Sequence, residues 1–296
     1  LATNETIKDY IQAVAARFDS ANLAFAHGTA TALDDAVYLV YCLLEIDFST
    51  ALEELQQPLS DKDRAILEAA VQRRLNEQVP VAYLVQRAWF AGYEFKCDER
   101  ALIPRSPIAE LIANDFQPLL PGPPGTVLDM GTGSGCIGIA CARQFLQARV
   151  ILADISRDCL DLARDNISRH GLDGRVTAIE SDLFAALDER YDLIVSNPPY
   201  VSQAEIDALP GEFRHEPILG LFSAEQGLAI PLAILREAAD YLTEHGLLVM
   251  EVGYSAERLQ QRLAGVPLLW LEFEDGGGGV FAITRAQLLQ YREAIN

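Results

Sequence analysis

Thr126-Val127-Leu128-Asp129-Met130-Gly131-Thr132-Gly133-Ser134-Gly135 opens as an apolar run of strand length and breaks into glycines. Glycine lets a chain turn sharply and lets backbone N–H groups approach a ligand more closely than any side chain could. A helical pattern follows, from about Cys136 to Phe145, and the alternation then repeats. Val150-Ile151-Leu152-Ala153-Asp154 precedes a helical stretch from about Arg157 to His170, and Val176 to Glu180, Tyr191 to Ser196 and Gly246 to Glu251 continue the series. Strand-length runs alternating with helices predict an α/β fold, a Rossmann-like parallel sheet with helices on both faces. At the far end, Leu268 to Phe273 and Val280 to Ile283 flank Asp275-Gly276-Gly277-Gly278-Gly279. That arrangement predicts a tight antiparallel connection in which the glycines serve only as a turn.

Toward the amino terminus the pattern changes. From Asn4 to about Gln86 apolar residues recur at three- and four-residue steps, in Ile7, Ile11, Val14 and Phe18 and again in Ile66, Ala70 and Leu75. This periodicity predicts a small helical domain, ended by Pro80. Trp89-Phe90-Ala91-Gly92-Tyr93-Glu94-Phe95 has the aromatic character of a hairpin arm. A connector, Leu102-Ile103-Pro104-Arg105-Ser106-Pro107, leads to a short helix from Ile108 to about Phe116, and Pro121 to Gly125 punctuates the chain. The predicted division is a helical domain over residues 1–86, a hairpin and linker over 87–124 and the α/β domain over 125–296.

Composition narrows the classes of function. Half of the 296 residues are apolar, enough for a sizeable core. The net charge of −20 disfavours a broad nucleic-acid footprint, which needs a basic face to displace counterions, and suits a basic protein partner better. Cys42, Cys97, Cys136, Cys141 and Cys159 show no paired spacing and read as reduced, buried thiols of a cytoplasmic protein. His27, His170, His215 and His245 offer no metal-binding pair, so no metal is expected. No run approaches the roughly 18 apolar residues that span a bilayer, so no membrane contact is expected.

The glycine turn alone is ambiguous. Gly133, Gly135 and Gly138 satisfy the G-x-G-x-x-G spacing of dinucleotide folds, so glycines cannot separate a nicotinamide cofactor from S-adenosylmethionine. Asp154 ends the second strand where a carboxylate can accept both ribose hydroxyls, or merely cap the helix after Ser156. Asp182, after the third strand, can accept a hydrogen bond from an adenine amino group or serve as a turn residue. With Asp129, Gly131, Thr132, Ile155, Leu183 and Asn197, these residues form the candidate cofactor-binding set.

Ser196-Asn197-Pro198-Pro199-Tyr200, directly after the fourth strand, decides the chemistry. Two prolines fix the backbone and remove two N–H donors, leaving carbonyl oxygens free to point into a site. An amide nitrogen is a poor nucleophile because its lone pair is delocalised into the carbonyl. The side-chain oxygen of Asn197 and the carbonyl of Pro198 can accept both N–H bonds of a planar –NH2 group, so that the nitrogen pyramidalises toward an incoming methyl. Tyr200 would lie against the flat face. Positioning of this kind supplies on the order of 7–11 kcal/mol in favourable cases, so neither acid nor metal is required. Asn197, Pro198 and Tyr200 are the candidate catalytic residues, and Pro199 joins them in the substrate-binding set.

In this order the motifs resemble class I methyltransferases carrying N-P-P-Y, which use S-adenosylmethionine to methylate glutamine amides of proteins or exocyclic amino groups of bases. The resemblance to the protein-(glutamine-N5) branch covers nearly the whole chain and implies a helical substrate-recognition domain, a linker at Leu102 to Arg105 and a hairpin strand completing the sheet. The branch includes enzymes acting on the Gly-Gly-Gln loop of release factors and enzymes acting on L-three, the third protein of the large ribosomal subunit. Release-factor enzymes carry Pro-Arg-Pro and an acidic-threonine-glutamate ending. Here Pro104-Arg105-Ser106-Pro107-Ile108-Ala109-Glu110, with Pro80 to Leu84, Ala88 to Phe90 and Phe213-Arg214-His215-Glu216-Pro217, looks like the ribosomal-protein group. The resemblance thus implies a glutamine of L-three as substrate, with the release-factor loop and nucleic-acid bases as alternatives. A nicotinamide oxidoreductase would leave Asn197 to Tyr200 without a role.

Overall fold

The computed structural model describes residues 5–274 and 276–296. Asn4, placed in the first helical pattern, and Asp275, placed in the glycine turn, lie outside the described residues.

The amino-terminal part is helical, with α1 (Ile7–Asp19), α2 (Ala32–Leu43), α3 (Asp61–Glu77) and α4 (Val81–Val85). Thr6 and Asp9 close a reciprocal capping box on α1, which buries Ile7, Ile11, Val14 and Phe18 against α2. Two details depart from the expected pattern. Pro80 does not end the helical region but caps α4, where its fixed φ starts the next turn. On α3 the buried stripe is Leu67, Val71 and Arg74, while Ile66 is exposed. The charged guanidinium among the buried positions explains why apolar spacing misplaced that face.

Strands β1 (Arg87–Phe90) and β2 (Tyr93–Lys96) form an antiparallel hairpin, followed by α5 (Ile108–Ala113). The hairpin faces two cores. Ala88 and the nearby Cys97 pack with the amino-terminal helices, whereas Phe90, Phe95, Ile108, Ile112 and Phe116 pack under the large sheet.

Then come β3 (Thr126–Met130), α6 (Cys136–Gln144), β4 (Arg149–Asp154), α7 (Arg157–Arg169), β5 (Val176–Glu180), β6 (Tyr191–Ser196), β7 (Leu242–Glu251), β8 (Leu269–Trp270) and β9 (Val280–Thr284). The sheet order is β5-β4-β3-β6-β7-β9-β8. β3 to β7 pair in parallel, and β9 runs antiparallel to both β7 and β8. The strands are nearly continuous in apolar residues because separate clusters bury both sheet faces. β4 and β6 flank β3 on opposite sides, so the connections diverge there and open a crevice at the carboxyl ends of the strands.

The expectation of a tight glycine turn is corrected. Nine residues separate β8 from β9. Gly277 packs on Pro107, and a Cβ on Gly279 would collide with the carbonyl oxygen of Gly253, so these glycines permit close approach to neighbouring chain and line the crevice.

Among the described residues no helix is long and apolar enough to cross a membrane, and no three His, Cys, Asp or Glu side chains are grouped to hold a metal. All five cysteines are free and buried. Burial pushes the Cys136 thiol up to about 12, which leaves it protonated and unreactive at neutral pH.

Candidate active site

The crevice holds about 670 Å³. Register assembles it: Met130 pairs with Ser196 across β3 and β6, and Ser196 Oγ donates to the Met130 carbonyl at 2.7 Å. The glycine turn and Asn197 therefore leave the sheet side by side.

Gly131 (φ +70°) and Gly133 (φ +56°) occupy the left-handed region. A Cβ on Gly131 would meet nothing within 4 Å, which leaves this backbone open toward the crevice. The turn is held from beneath. Thr132 Oγ1 and the Gly138 N–H both donate to Asp129 Oδ2, at 2.6 and 2.8 Å, and burial pushes the Asp129 carboxyl up to about 6. From behind, Asn166 of α7 donates to the Ser134 carbonyl at 2.9 Å.

The structure therefore divides the cofactor candidates. Gly131, Thr132, Gly133, Asp154, Ile155, Asp182, Leu183 and Asn197 line the crevice. Asp129 and Gly135 do not: Asp129 shapes the turn, and Gly135, at the start of α6, is packed against Ile139, Leu152 and Ala163, where a Cβ would crowd it. Asp154 accepts from the Gly133 N–H and the Ser156 N–H, each at 2.9 Å. It does not cap α7, whose N-cap is Ser156, and each carboxylate oxygen keeps a further lone pair.

Asn197, Pro198, Pro199 and Tyr200 line the same crevice. Among the described residues the Asn197 side chain has no hydrogen-bond partner, although Asn197 is only partly exposed. Tyr200, in contrast, is held at both ends. Its hydroxyl donates to Glu251 Oε1 at 3.1 Å, and its carbonyl accepts from Ser255 Oγ at 2.7 Å. A Cβ on Gly253 would fall 2.7 to 2.9 Å from the ring, and one on Gly227 would collide with the Tyr200 carbonyl. Glu225, Gln226 and Gly227 all take positive φ, so backbone strain is concentrated in the turn that abuts Tyr200. Burial and the Glu251 charge push the Tyr200 phenol up, so it keeps its proton and acts as the donor.

The connector is a wall of the site, a role its sequence did not disclose. Arg100 to Pro107 line the crevice. Ser106 Oγ donates to Glu251 Oε2 at 2.6 Å, and the two terminal nitrogens of Arg105 donate to Glu216 at 2.5 and 2.6 Å. Glu216 also accepts from the Ile103 N–H and faces the His27 ring at 3.8 Å, beyond hydrogen-bond reach. Phe213 packs between His27 and Arg105, and His215 Nε2 meets the Glu77 carbonyl at 2.8 Å. The Phe213 to Pro217 segment is thus a buttress joining the helical domain, the connector and the crevice. Glu251 was legible only as the sole acid in the run Gly246 to Glu251.

Residues 109–212 match the family described as Methyltransferase small domain, and residues 20–85 match PrmC N-terminal domain. The chain is 42% identical over 292 residues to a ribosomal protein uL3 glutamine methyltransferase of Francisella tularensis, an alignment covering 98% of this chain and 93% of the relative. It is 47% identical over 294 residues to the protein of that name in Xylella fastidiosa, with the same two coverages. A solved methyltransferase structure from Pyrococcus furiosus aligns with a TM-score of 0.48 at 17% identity, covering 77% of this chain and 99% of that one.

Proposed function

The chain belongs to the ribosomal protein uL3 glutamine methyltransferase family, and from that premise we propose that it transfers a methyl group from S-adenosylmethionine to the side-chain nitrogen of a glutamine in uL3. The observation that carries this reading is the Asn197 amide, without a hydrogen-bond partner among the described residues, just past the end of β6, beside a glycine turn and three residues before a tyrosine anchored through its hydroxyl and its carbonyl.

The crevice fits the cofactor. Gly131 and Gly133 offer backbone that no Cβ obstructs, Asp154 keeps acceptor capacity for ribose hydroxyls, and Asp182 and Leu183 border the place for the base. When bound, S-adenosylmethionine supplies an electrophilic methyl on a sulfonium. The chain's residues do the rest. Asn197 Oδ1 and the Pro198 carbonyl accept the two N–H bonds of the glutamine amide and stay bonded as the nitrogen pyramidalises. Tyr200, its hydroxyl turned to Glu251, presents its ring to the amide plane. As the new N–C bond forms the methyl–sulfur bond would break, and the methylated nitrogen, positive at that point, would release one proton to solvent; no side chain needs to remove it beforehand, because orientation supplies the acceleration. On this reading the enzyme acts in the cytoplasm on a basic ribosomal protein, without membrane or nucleic-acid contact.

The test is competition. Purified enzyme receives uL3 and a release factor together with labelled cofactor, and the products are digested and sequenced. Label on a uL3 glutamine is expected. Preferential labelling of the release factor, or of any residue other than glutamine, overturns the substrate assignment.

A further inference from the structure

We propose that Glu251 is a positioning residue of the methyl-acceptor site that acts through Tyr200, and that Ser106 makes the connector part of the same site. The inference rests on the reading of the crevice as a glutamine-amide site.

Glu251 ends β7 at the crevice wall and is only 6% exposed. Removing a carboxylate from water is expensive, and a well-packed apolar residue would generally serve stability at least as well. The partners of this carboxylate indicate another use. Each oxygen takes one hydroxyl: Ser106 Oγ at 2.6 Å on Oε2 and Tyr200 OH at 3.1 Å on Oε1. Ser106 Oγ also accepts the Ile108 N–H at 3.2 Å, so the start of α5 orients the serine. A chain of three hydrogen bonds thus runs from a helix packed in the core to the tip of the tyrosine.

A tyrosine ring turns about two side-chain torsions. A ring that must lie flat against a planar amide has to be fixed at both ends. The contacts of Ser255 and Gly227 hold the Tyr200 backbone, and Gly253 limits the ring from one side. Glu251 makes the hydrogen bond at the far end and thereby sets the ring plane. Tyr254, three residues past the end of β7, is by contrast 95% exposed.

Three full-length variants test this: Tyr200→Phe, Glu251→Gln and the double variant, compared by single-turnover methylation of uL3 at saturating cofactor. Each single change is expected to slow transfer about tenfold or more, with KM for uL3 and cofactor affinity within about twofold of the parent. The double variant should be no slower than the slower single variant, because Glu251 acts through the hydroxyl that Tyr200→Phe removes. Ser106→Ala should slow transfer in the same way, and Ser106→Thr, which keeps the hydroxyl, should recover most of the rate. If Glu251→Gln does not fold, the cycle of Ser106→Ala with Tyr200→Phe gives the same reading. Multiplying losses in the double variant, or an unimpaired Glu251→Gln, overturn the inference while the parent still methylates glutamine. A parent that labels no glutamine instead sinks the substrate reading.

Discussion

At the scale of single residues, the crevice separates groups that hold a ligand from groups that hold the protein. Among the described residues the Asn197 side chain has no partner, so its loss should be felt in catalysis rather than in folding. Asn197→Ala is expected to lower the single-turnover rate by about two to three orders of magnitude, the scale for removing one preorganised polar partner of a transition state. Cofactor affinity, read by calorimetry, should change far less than the rate. A variant nearly as fast as the parent would refute the amide clamp. Asp154 has a double duty, because it also accepts the Gly133 and Ser156 N–H groups. Asp154→Ala should therefore weaken cofactor binding by more than the roughly 1.5–3 kcal/mol of one charged hydrogen bond, since the turn loosens as well. Asp154→Asn, which keeps one oxygen acceptor, should fall between. Equal affinity in all three proteins would remove Asp154 from the site.

At the scale of elements, what repeats in the chain could be read and what depends on a single close approach could not. The five parallel strands were visible because a sheet buried on both faces demands continuous apolar runs, as in Val150 to Ala153 and Leu193 to Val195. Asn197 and its neighbours were visible because proline and glycine leave a local signature. The glycines after Trp270 looked like a turn because sequence carries no sign that Gly279 must pass the Gly253 carbonyl. Gly253 likewise follows β7 as an ordinary strand terminator would, yet its φ of +44° and its contact with the Tyr200 ring leave no room for a side chain. Gly253→Ala should therefore push the ring aside. A displacement costing about 1–2 kcal/mol corresponds to a loss of roughly tenfold in methyl-transfer rate. Circular dichroism should remain native. An unchanged single-turnover rate would show that the ring plane does not matter.

At the scale of the whole molecule, the amino-terminal helices are bound to the chain that follows β6 by buried charge. Sequence could not show this, because the partners lie far apart in the chain and each carboxylate alone reads as a surface acid. Arg74, 2% exposed, donates to Asp35 of α2 at 2.9 Å and, reaching the chain beyond β6, to Glu212 at 3.3 Å. Glu216 adds to this link through Arg105 and His27. Burial alone would raise the Glu216 carboxyl, but the facing guanidinium and imidazole outweigh it and lower it from an ordinary 4.5 to about 2. A carboxylate depressed in the folded state adds stability that is fully present above its unfolded value and is lost as pH falls through its folded value. For Glu216 that contribution is present at neutral pH and disappears as pH falls from roughly 4.5 to 2. Asp35 and Glu251 are raised by burial and act in the opposite sense, so the parent's acid profile alone cannot isolate Glu216. The comparison that does is with Glu216→Gln, which mimics the protonated acid in shape. Urea unfolding across a pH series should find the variant less stable at pH 7, with the gap narrowing steadily as pH falls below roughly 4.5. A gap that stays constant with pH would mean that Glu216 acts by packing and not by charge.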